Sequence, residues 1–182
     1  MVARWRTLSS RTILTDRWID LRADECETEN GNTIAPYYVL TYPDWVHVVA
    51  LTERKELILV EQYRHGAGAV ILELPGGVID RGETPVEAAT RELLEETGHA
   101  AESWEYVSGL YANPAIQTNR VHTVLARGCE GQAAPRLEPG EDGMTIRFIP
   151  LDQVTAGLRD GMLSQAMQVA GLLLALDAAG LR

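Results

Sequence analysis

The sequence contains few cysteines, few basic side chains and no long apolar run. Its 182 residues include two cysteines, and 26 acidic side chains outnumber 16 basic ones, giving a formal net charge of -10. Cys26 and Cys129 stand in no Cys-x-x-Cys or Cys/His metal spacing, so no thiolate zinc site is indicated. Two buried free thiols are expected in preference to one disulfide. The most apolar late stretch, residues 169–176, is too short to span a bilayer.

The excess of acidic side chains limits the classes of partner. Nucleic acids and anionic membranes attract surfaces rich in Lys and Arg, so we expect neither as a partner. A small anionic substrate is compatible with the charge if local basic residues or a metal ion accompany it. The N-terminal residues 1–6 precede no apolar segment of the signal-peptide type, which predicts a cytoplasmic protein.

The length predicts one domain with at most a small appendage. Hydrophobic residues make up 46% and charged residues 23% of the chain, as in ordinary globular proteins. The dipeptide Asn30-Gly31 separates two strand-like segments, residues 19–27 and 33–41. It favours a hairpin with a type I′ turn, in which both central residues need positive φ. We therefore expect an N-terminal β-hairpin subdomain over residues 1–43 and a main domain over 44–182.

The main domain alternates strand-like and helical segments. Short β-branched or apolar segments predict strands at residues 45–52, 57–62, 70–74, 104–110, 120–126 and 144–150. The tail from Leu151 to Leu181 has helical spacing. Strands on both sides of one central helix, followed by a C-terminal helix, indicate a mixed-sheet α/β or α+β sandwich.

The central helix carries clear end signals. Thr84 can cap its N-terminus, Pro85 can be its first residue, and Glu87 can complete a capping box with Thr84. Gly98 suits the position just past the C-terminus. The segment therefore predicts a helix from Pro85 to Thr97.

The central helix presents two different faces. The residues expected on its core-facing stripe are Val86, Thr90, Leu93 and Thr97. Glu92, Glu95 and Glu96 share another face, where neighbouring like charges destabilise a helix. Arg91 can pair with Glu87 and Glu95 to relieve part of this repulsion. The glutamates taken alone fit either a solvated acidic face or a site for a hard divalent cation.

The wider sequence around the glutamates resembles a known pattern. The segment from Gly77 to Gly98 reads G-x5-E-x7-R-E-L-L-E-E-T-G, similar to the Nudix box G-x5-E-x7-R-E-U-x-E-E-x-G-U, where U is bulky and apolar. Seven fixed identities coincide by chance about once in 10⁸ starting points at average composition. His99 occupies the final U position. The resemblance implies a Nudix-type α/β/α sandwich with a mixed sheet, preceded by the N-terminal antiparallel hairpin.

Residues outside the box resemble one Nudix subfamily. The runs Glu61-Gln62-Tyr63-Arg64 and Leu72-Glu73-Leu74-Pro75-Gly76-Gly77, with Pro114 after the box, are similar to ADP-ribose pyrophosphatases and other nucleoside diphosphate sugar hydrolases. The resemblance implies Mg²⁺-dependent hydrolysis of a pyrophosphate bond, with Mn²⁺ as a substitute, giving a nucleoside monophosphate and a sugar phosphate. It also implies a homodimer in which the N-terminal hairpin forms one wall of the active site.

The same resemblance implies roles for individual residues of the box. Glu92, Glu96 and the carbonyl of Gly76 would bind the metal, with Glu95 assisting. Arg91 would orient the glutamates instead of contacting substrate.

Residues outside the box are candidates for substrate binding and base catalysis. Arg64 would hold a phosphate or the terminal sugar, although a surface arginine also fits. The segment 113–117, with Pro114 and Gln117, would be a substrate loop or a plain turn. In the acidic loop 138–142, Glu141 would bind metal or act as general base, and Glu138 competes for that role because Pro139 stands where relatives often carry a carboxylate. A solvated acidic turn is the other interpretation.

Other functions fit the same pattern. A house-cleaning hydrolase of dinucleotides or nucleoside triphosphates would use the same box, and so would an RNA-cap hydrolase, which the acidic surface disfavours. A ligand sensor with the fold but no turnover is disfavoured because every box glutamate is present. His47, His65 and His122 are expected to be structural residues.

Overall fold

The computed structural model describes residues 2–181 and forms two compact units. The first unit runs through Pro43 and also includes Tyr111–Arg120. The second unit holds Asp44–Leu110 and continues from Val121. Each unit is built around its own β-sheet.

The first unit is a three-stranded antiparallel sheet. Its strands are β1 (Arg6–Thr15), β2 (Asp20–Glu27) and β3 (Thr33–Leu40), in the order β1-β2-β3. The two predicted strands correspond to β2 and β3, whereas β1 was not predicted. All ten residues of β1 are exposed, so β1 lacks the alternation of buried and polar residues by which strands are recognised in a sequence.

The turn between β2 and β3 differs from the predicted type. Gly31 has a positive φ of 76°, but Asn30 does not, so a type I′ turn is excluded. The loop is instead closed by hydrogen bonds from Gly31 N to the Thr28 carbonyl (3.0 Å) and from Thr28 N to the Asn32 carbonyl (3.0 Å). The longer loop needs only one residue with positive φ, which glycine adopts without strain.

The second unit contains a seven-stranded mixed sheet. The remaining strands are β4 (Trp45–Leu51), β5 (Glu56–Arg64), β6 (Ala69–Glu73), β7 (Gly76–Val78), β8 (His99–Ala100), β9 (Ser103–Tyr111), β10 (Arg120–Arg127), β11 (Glu130–Gly131) and β12 (Thr145–Pro150). The sheet order is β12-β5-β4-β10-β9, with β6 beside β5 and β7 beside β4. β4 and β10 run parallel, whereas β5 is antiparallel to β4, β6 and β12. A separate small sheet pairs β8 with β11.

Helices cover both faces of this sheet. The helices are α1 (Pro85–Thr97), α2 (Leu151–Gly157) and α3 (Ala166–Ala178). Val46, Val48 and Ala50 of β4 pack in one apolar cluster with α1, whereas Val49 and Leu51 pack in another with α2 and α3. Successive side chains of a strand point to opposite faces, so β4 is apolar at nearly every position, with His47 as the exception, because both faces are covered. The expected mixed-sheet sandwich is therefore confirmed.

The C-terminal tail forms two helices where one helical segment was predicted. A 3-10 turn at Leu158–Asp160 follows α2, and Gly161 has a positive φ of 81° before the chain enters α3. Among the described residues, no helix has the length and apolarity needed to cross a membrane. Cys26 and Cys129 are both buried and free, as expected.

Candidate active site

Helix α1 begins and ends where the sequence predicted. The Thr84 hydroxyl accepts a hydrogen bond from Glu87 N, and the Glu87 carboxylate accepts from Thr84 N at 2.8 Å, so the capping box is complete. Gly98 follows the helix in the left-handed region, with φ 70°. Because its carboxylate is held in the cap, Glu87 does not make the ion pair with Arg91 that the sequence suggested.

The buried face of α1 is only partly the one expected. The residues buried on this helix are Ala88, Ala89, Glu92, Leu93, Glu96 and Thr97. Thr90 is exposed, and its hydroxyl donates to the Val86 carbonyl (2.8 Å). The predicted stripe was therefore wrong at Thr90, and two of the three box glutamates lie on the covered side. Glu92 and Glu96 therefore do not belong to a solvated acidic face. Burying a carboxylate costs free energy unless it is paired or coordinates a metal ion.

Two glycines of β7 allow this strand to pack closely, Gly77 against Glu92 of α1 and Gly76 against the backbone of β4. A Cβ on Gly77 would lie 2.7 Å from Glu92 Cδ, and a Cβ on Gly76 would overlap the Val46 carbonyl oxygen. Gly76 also has a backbone φ of 155°, a conformation that residues other than glycine rarely adopt. The N–H of Gly76 donates to Glu96 Oε2 over 2.9 Å. The glycine pair therefore allows the strand backbone to touch the carboxylate side of α1.

Three carboxylates of this region influence one another. Burial, followed by the negative charges of Glu92 and Glu141, raises the pKa of Glu96 to about 8. The Gly76 hydrogen bond and the positive charge of Arg64 oppose this rise. Burial also raises the pKa of Glu92, with Arg91 acting against it and Glu95 and Glu141 acting with it. The negative charge gathered here would be relieved by a cation.

Arg91 holds several carboxylates at once. Its Nε and Nη2 donate to the two oxygens of Glu83, each at 3.0 Å. Its Nη1 donates to Glu92 Oε1 at 2.8 Å and to Glu95 Oε2 at 3.3 Å, and Nη2 also reaches the Val78 carbonyl at 2.9 Å. The predicted pairing with Glu95 is present, and the two-pronged contact with Glu83 is additional. Arg91 thus ties the helix to β7 and to the loop before the helix.

Arg64 lies at the end of β5 and is half exposed. Its Nε donates to Glu73 Oε2 at 2.8 Å, and its charge acts on Glu96 and His47. Burial and the Arg64 charge lower the pKa of His47 to about 4, so His47 is neutral near pH 7. Arg64 therefore supplies positive charge on the same side as Glu96.

The acidic loop brings Glu141 toward the same carboxylates. Glu141 ends a 3-10 turn at Pro139–Glu141, and its Oε2 accepts from the backbone N–H of Glu138 at 2.8 Å. The negative charge of Glu141 contributes to the raised pKa of both Glu92 and Glu96. Glu138 is exposed, and it contributes its backbone N–H to the turn.

Pro114 and Gln117 lie in the first unit. The Gln117 backbone N–H donates to the Asn113 carbonyl at 2.8 Å, which closes a turn around Pro114. Gln117 forms a parallel bridge with Leu40 of β3. This segment is therefore anchored to the N-terminal sheet.

Sequence reasoning gave no individual role to Glu73, which it named only within a longer run, and it did not name Gln168. Glu73 is 1% exposed and Gln168 is 2% exposed. Gln168 Nε2 lies 3.4 Å from Glu73 Oε1. Each is a lone polar residue in an otherwise apolar segment, which is the signal that could have revealed them.

Comparison with known proteins identifies the family. Residues 41–167 match the model of the NUDIX domain, and residues 5–40 match the nucleoside diphosphate sugar hydrolase N-terminal domain. The chain belongs to the Nudix family. The expected resemblance is thereby confirmed for both parts of the chain.

Relatives of this Nudix chain include named enzymes. It is 31% identical over 170 residues to an ADP-ribose pyrophosphatase of Mycobacterium tuberculosis, covering 93% of this chain and 82% of the relative. It is 32% identical over 123 residues to a methanol dehydrogenase activator of Bacillus methanolicus, covering 68% of this chain and 66% of the relative, just under two thirds of its length. The crystal structure of an ADP compounds hydrolase superposes with a TM-score of 0.88 at 25% identity, over 100% of this chain and 99% of that chain.

Nudix hydrolases in general depend on divalent metal ions, and the donor chemistry here suits one. Carboxylate and carbonyl oxygens are the ligands that hard divalent cations prefer, and the carboxylates of Glu92 and Glu96 lie against the backbone of Gly77 and Gly76. Within residues 2–181, however, no three His, Cys, Asp or Glu side chains are already arranged to hold an ion. Glu92 is turned to Arg91, and Glu141 to the Glu138 backbone. Either side chain would have to rotate away from its present partner before it could bind a metal ion.

Proposed function

We propose that this Nudix protein hydrolyses the pyrophosphate bond of ADP-ribose or a related nucleoside diphosphate sugar. Water adds to one phosphorus while the bridging P–O bond breaks, giving a nucleoside monophosphate and a sugar phosphate. The observation that carries the proposal is the grouping of Glu92, Glu96 and Glu141 near Arg64, since it combines cation-binding oxygens with a guanidinium for an anion. The match of residues 5–40 to the sugar-nucleotide hydrolase N-terminal domain favours this substrate class over dinucleotides and triphosphates.

In the proposed site Mg²⁺, or Mn²⁺ in its place, is held by Glu92, Glu96 and the Gly76 carbonyl, with Glu95 assisting. A bound divalent ion offsets charge on the pyrophosphate and lowers the pKa of bound water. Arg91 fixes the orientation of the glutamates through its contacts with Glu83, Glu92 and Glu95.

The remaining proposed roles belong to residues outside the helix. Glu141 accepts the proton of the attacking water, with Glu138 as the alternative base in the same turn. Arg64 binds a phosphate oxygen. Pro114 and Gln117 belong to a loop that contacts the substrate.

The assembly and location are part of the same proposal. We propose a homodimer in which residues 1–43 form the dimerisation part and one substrate wall, while residues 44–182 form the catalytic domain. The full exposure of β1, including Leu8, Ile13 and Leu14, supports this, because apolar strand residues favour burial against a partner. Free thiols at Cys26 and Cys129 support a cytoplasmic location.

A substrate panel tests the function. Purified protein with Mg²⁺ should release AMP and ribose 5-phosphate from ADP-ribose, or the equivalent products from another sugar nucleotide, as identified by anion-exchange chromatography. Dinucleotides and nucleoside triphosphates are included as the competing substrates. Absence of turnover on every sugar nucleotide with either Mg²⁺ or Mn²⁺ would refute the proposal, and faster turnover of dinucleotides or triphosphates would replace the substrate class.

A further inference from the structure

A buried carboxylate lies directly behind Arg64. Glu73 is 1% exposed, and its Oε2 accepts from Arg64 Nε at 2.8 Å. Its other oxygen, Oε1, accepts from Gln168 Nε2 of α3 at 3.4 Å. The Gln168 side chain is itself fixed, because its Oε1 accepts from Leu74 N at 2.8 Å. Four residues from β5, β6 and α3 and the segment after β6 therefore form one hydrogen-bonded chain that ends at the guanidinium.

Burying the Glu73 carboxylate costs free energy of folding. A carboxylate removed from water loses its hydration free energy, and a well-packed apolar residue often stabilises such a position as well or better. Here the charge is paired with an arginine whose side chain is 49% exposed, so part of the compensating interaction is screened by water. Fold stability alone does not account for the placement of Glu73.

The geometry leaves Arg64 able to bind an anion. Glu73 engages Nε, which is one of the five N–H donors of the guanidinium. The terminal nitrogens can still donate to a phosphate in the two-pronged manner that favours arginine at such sites. With Nε held, the plane of the guanidinium is fixed before substrate arrives. A side chain ordered in advance loses less entropy on binding.

The same series of hydrogen bonds also leads to Gly76 and Glu96, which belong to the proposed metal site. Gln168 Oε1 accepts from the backbone N–H of Leu74, and the carbonyl of the following residue, Pro75, accepts from Val48 N at 2.8 Å. Gly76 follows directly and donates to Glu96. Gln168 therefore helps to fix the short segment between β6 and β7 from which Gly76 meets Glu96.

We propose that Glu73 and Gln168 are positioning residues for the diphosphate of the substrate, with Glu73 orienting Arg64 and Gln168 holding Glu73. This inference rests on the proposed hydrolysis of a nucleoside diphosphate sugar. It predicts that Glu73 acts through Arg64, so its contribution should disappear when Arg64 is absent.

A double-mutant cycle tests this coupling in the full-length protein. Glu73→Gln should raise KM for ADP-ribose about 10-fold, because Arg64 is no longer ordered in advance, while kcat changes less than about threefold. In an Arg64→Ala background, Glu73→Gln should change KM by less than about twofold. Glu105→Gln removes the same charge from another arginine pair, Glu105–Arg127 at 2.9 Å, and should leave both constants unchanged.

A second variant and a binding measurement distinguish failure of the positioning role from failure of the proposed substrate. Gln168→Met removes the hydrogen bonds to both Glu73 and Leu74, so it should raise KM by a factor that falls, but does not vanish, in the Arg64→Ala background. Calorimetric binding of inorganic pyrophosphate with excess Mg²⁺ reports on Arg64 without turnover, so it remains informative if ADP-ribose is not a substrate. Equal effects of Glu73→Gln with and without Arg64, in KM or in pyrophosphate Kd, would overturn the positioning role. Unchanged pyrophosphate affinity in Arg64→Ala would overturn it as well.

Discussion

The backbone N–H of Gly76 donates to Glu96 Oε2 across 2.9 Å, which joins β7 directly to the buried side of α1. Glu96 is 3% exposed, and burial is the main cause of its raised pKa. A single backbone hydrogen bond stabilises the ionised form only in part. The ionised form of Glu96 is therefore unfavourable in the metal-free protein, and a bound cation would stabilise it.

Gly77→Ala should disable the site without unfolding the protein. The added methyl group would lie 2.7 Å from Glu92 Cδ, so the Glu92 carboxylate must move. If Glu92 is the metal ligand proposed above, its displacement by about 1 Å should cost roughly 100-fold in rate, and kcat under saturating Mg²⁺ is the measurement. Gly66→Ala is the matched control because a methyl group there meets nothing within 4 Å. Equal activity of the two variants would contradict the role of Gly77.

Glu96→Gln should separate activity from stability. The amide retains the volume and can still accept from Gly76, but it is a poor ligand for a divalent cation, so kcat should fall by at least about 100-fold. The metal-free variant should melt at a higher temperature than the metal-free wild type near pH 8, because a buried charge has been removed. Turnover close to that of the wild type would refute the proposed ligand role.

The end signals of α1 were readable from the sequence because they are local. The box between Thr84 and Glu87 is closed by residues three apart, and Gly98 needs only its own backbone conformation. The buried face was readable only in part. Apolar periodicity placed Leu93 and Thr97 correctly, but it left Glu92 open between a solvated face and a cation site, and it could not show that Gly77 on another strand makes room for this side chain.

Contacts between distant residues were also outside the reach of pattern reasoning. Glu73 and Gln168 are separated by 95 positions, and their contact depends on how α3 packs on the sheet. The partner of Arg91 was misjudged for a related reason. Helical spacing suggested Glu87, but the capping box takes that carboxylate, and Glu83 in the preceding loop receives two hydrogen bonds instead.

The stability of the metal-free protein should fall as pH rises from about 5 to 8. The pKa of Glu96 is raised from its ordinary value of 4.5 to about 8. Between these values the folded state binds more protons than the unfolded state, so the free energy of unfolding decreases with rising pH and levels off above about 8. Urea unfolding in EDTA at pH 5.5, 7 and 8.5 measures this slope.

Two comparisons make that pH slope specific to Glu96. The Glu96→Gln variant should show a flatter dependence, since the titrating group is gone. Saturating Mg²⁺ should also flatten it for the wild type, and metal binding near pH 7 should release protons into the buffer. A slope unchanged by the substitution would assign the pH dependence to other groups.

Substitutions in the acidic turn distinguish the two candidate bases. The charge of Glu141 raises the pKa of Glu92 and Glu96, whereas Glu138 is exposed and supplies a backbone N–H to Glu141 Oε2. Glu141→Gln should therefore lower kcat by about 100-fold or more with Mg²⁺ affinity retained, and Glu138→Gln should change kcat by less than about threefold, since its backbone contact survives. Steady-state rates over a range of pH, with Mg²⁺ titrated by calorimetry, measure both effects. If Glu138→Gln carries the larger loss, the base is Glu138, and Glu141 serves to shape the turn.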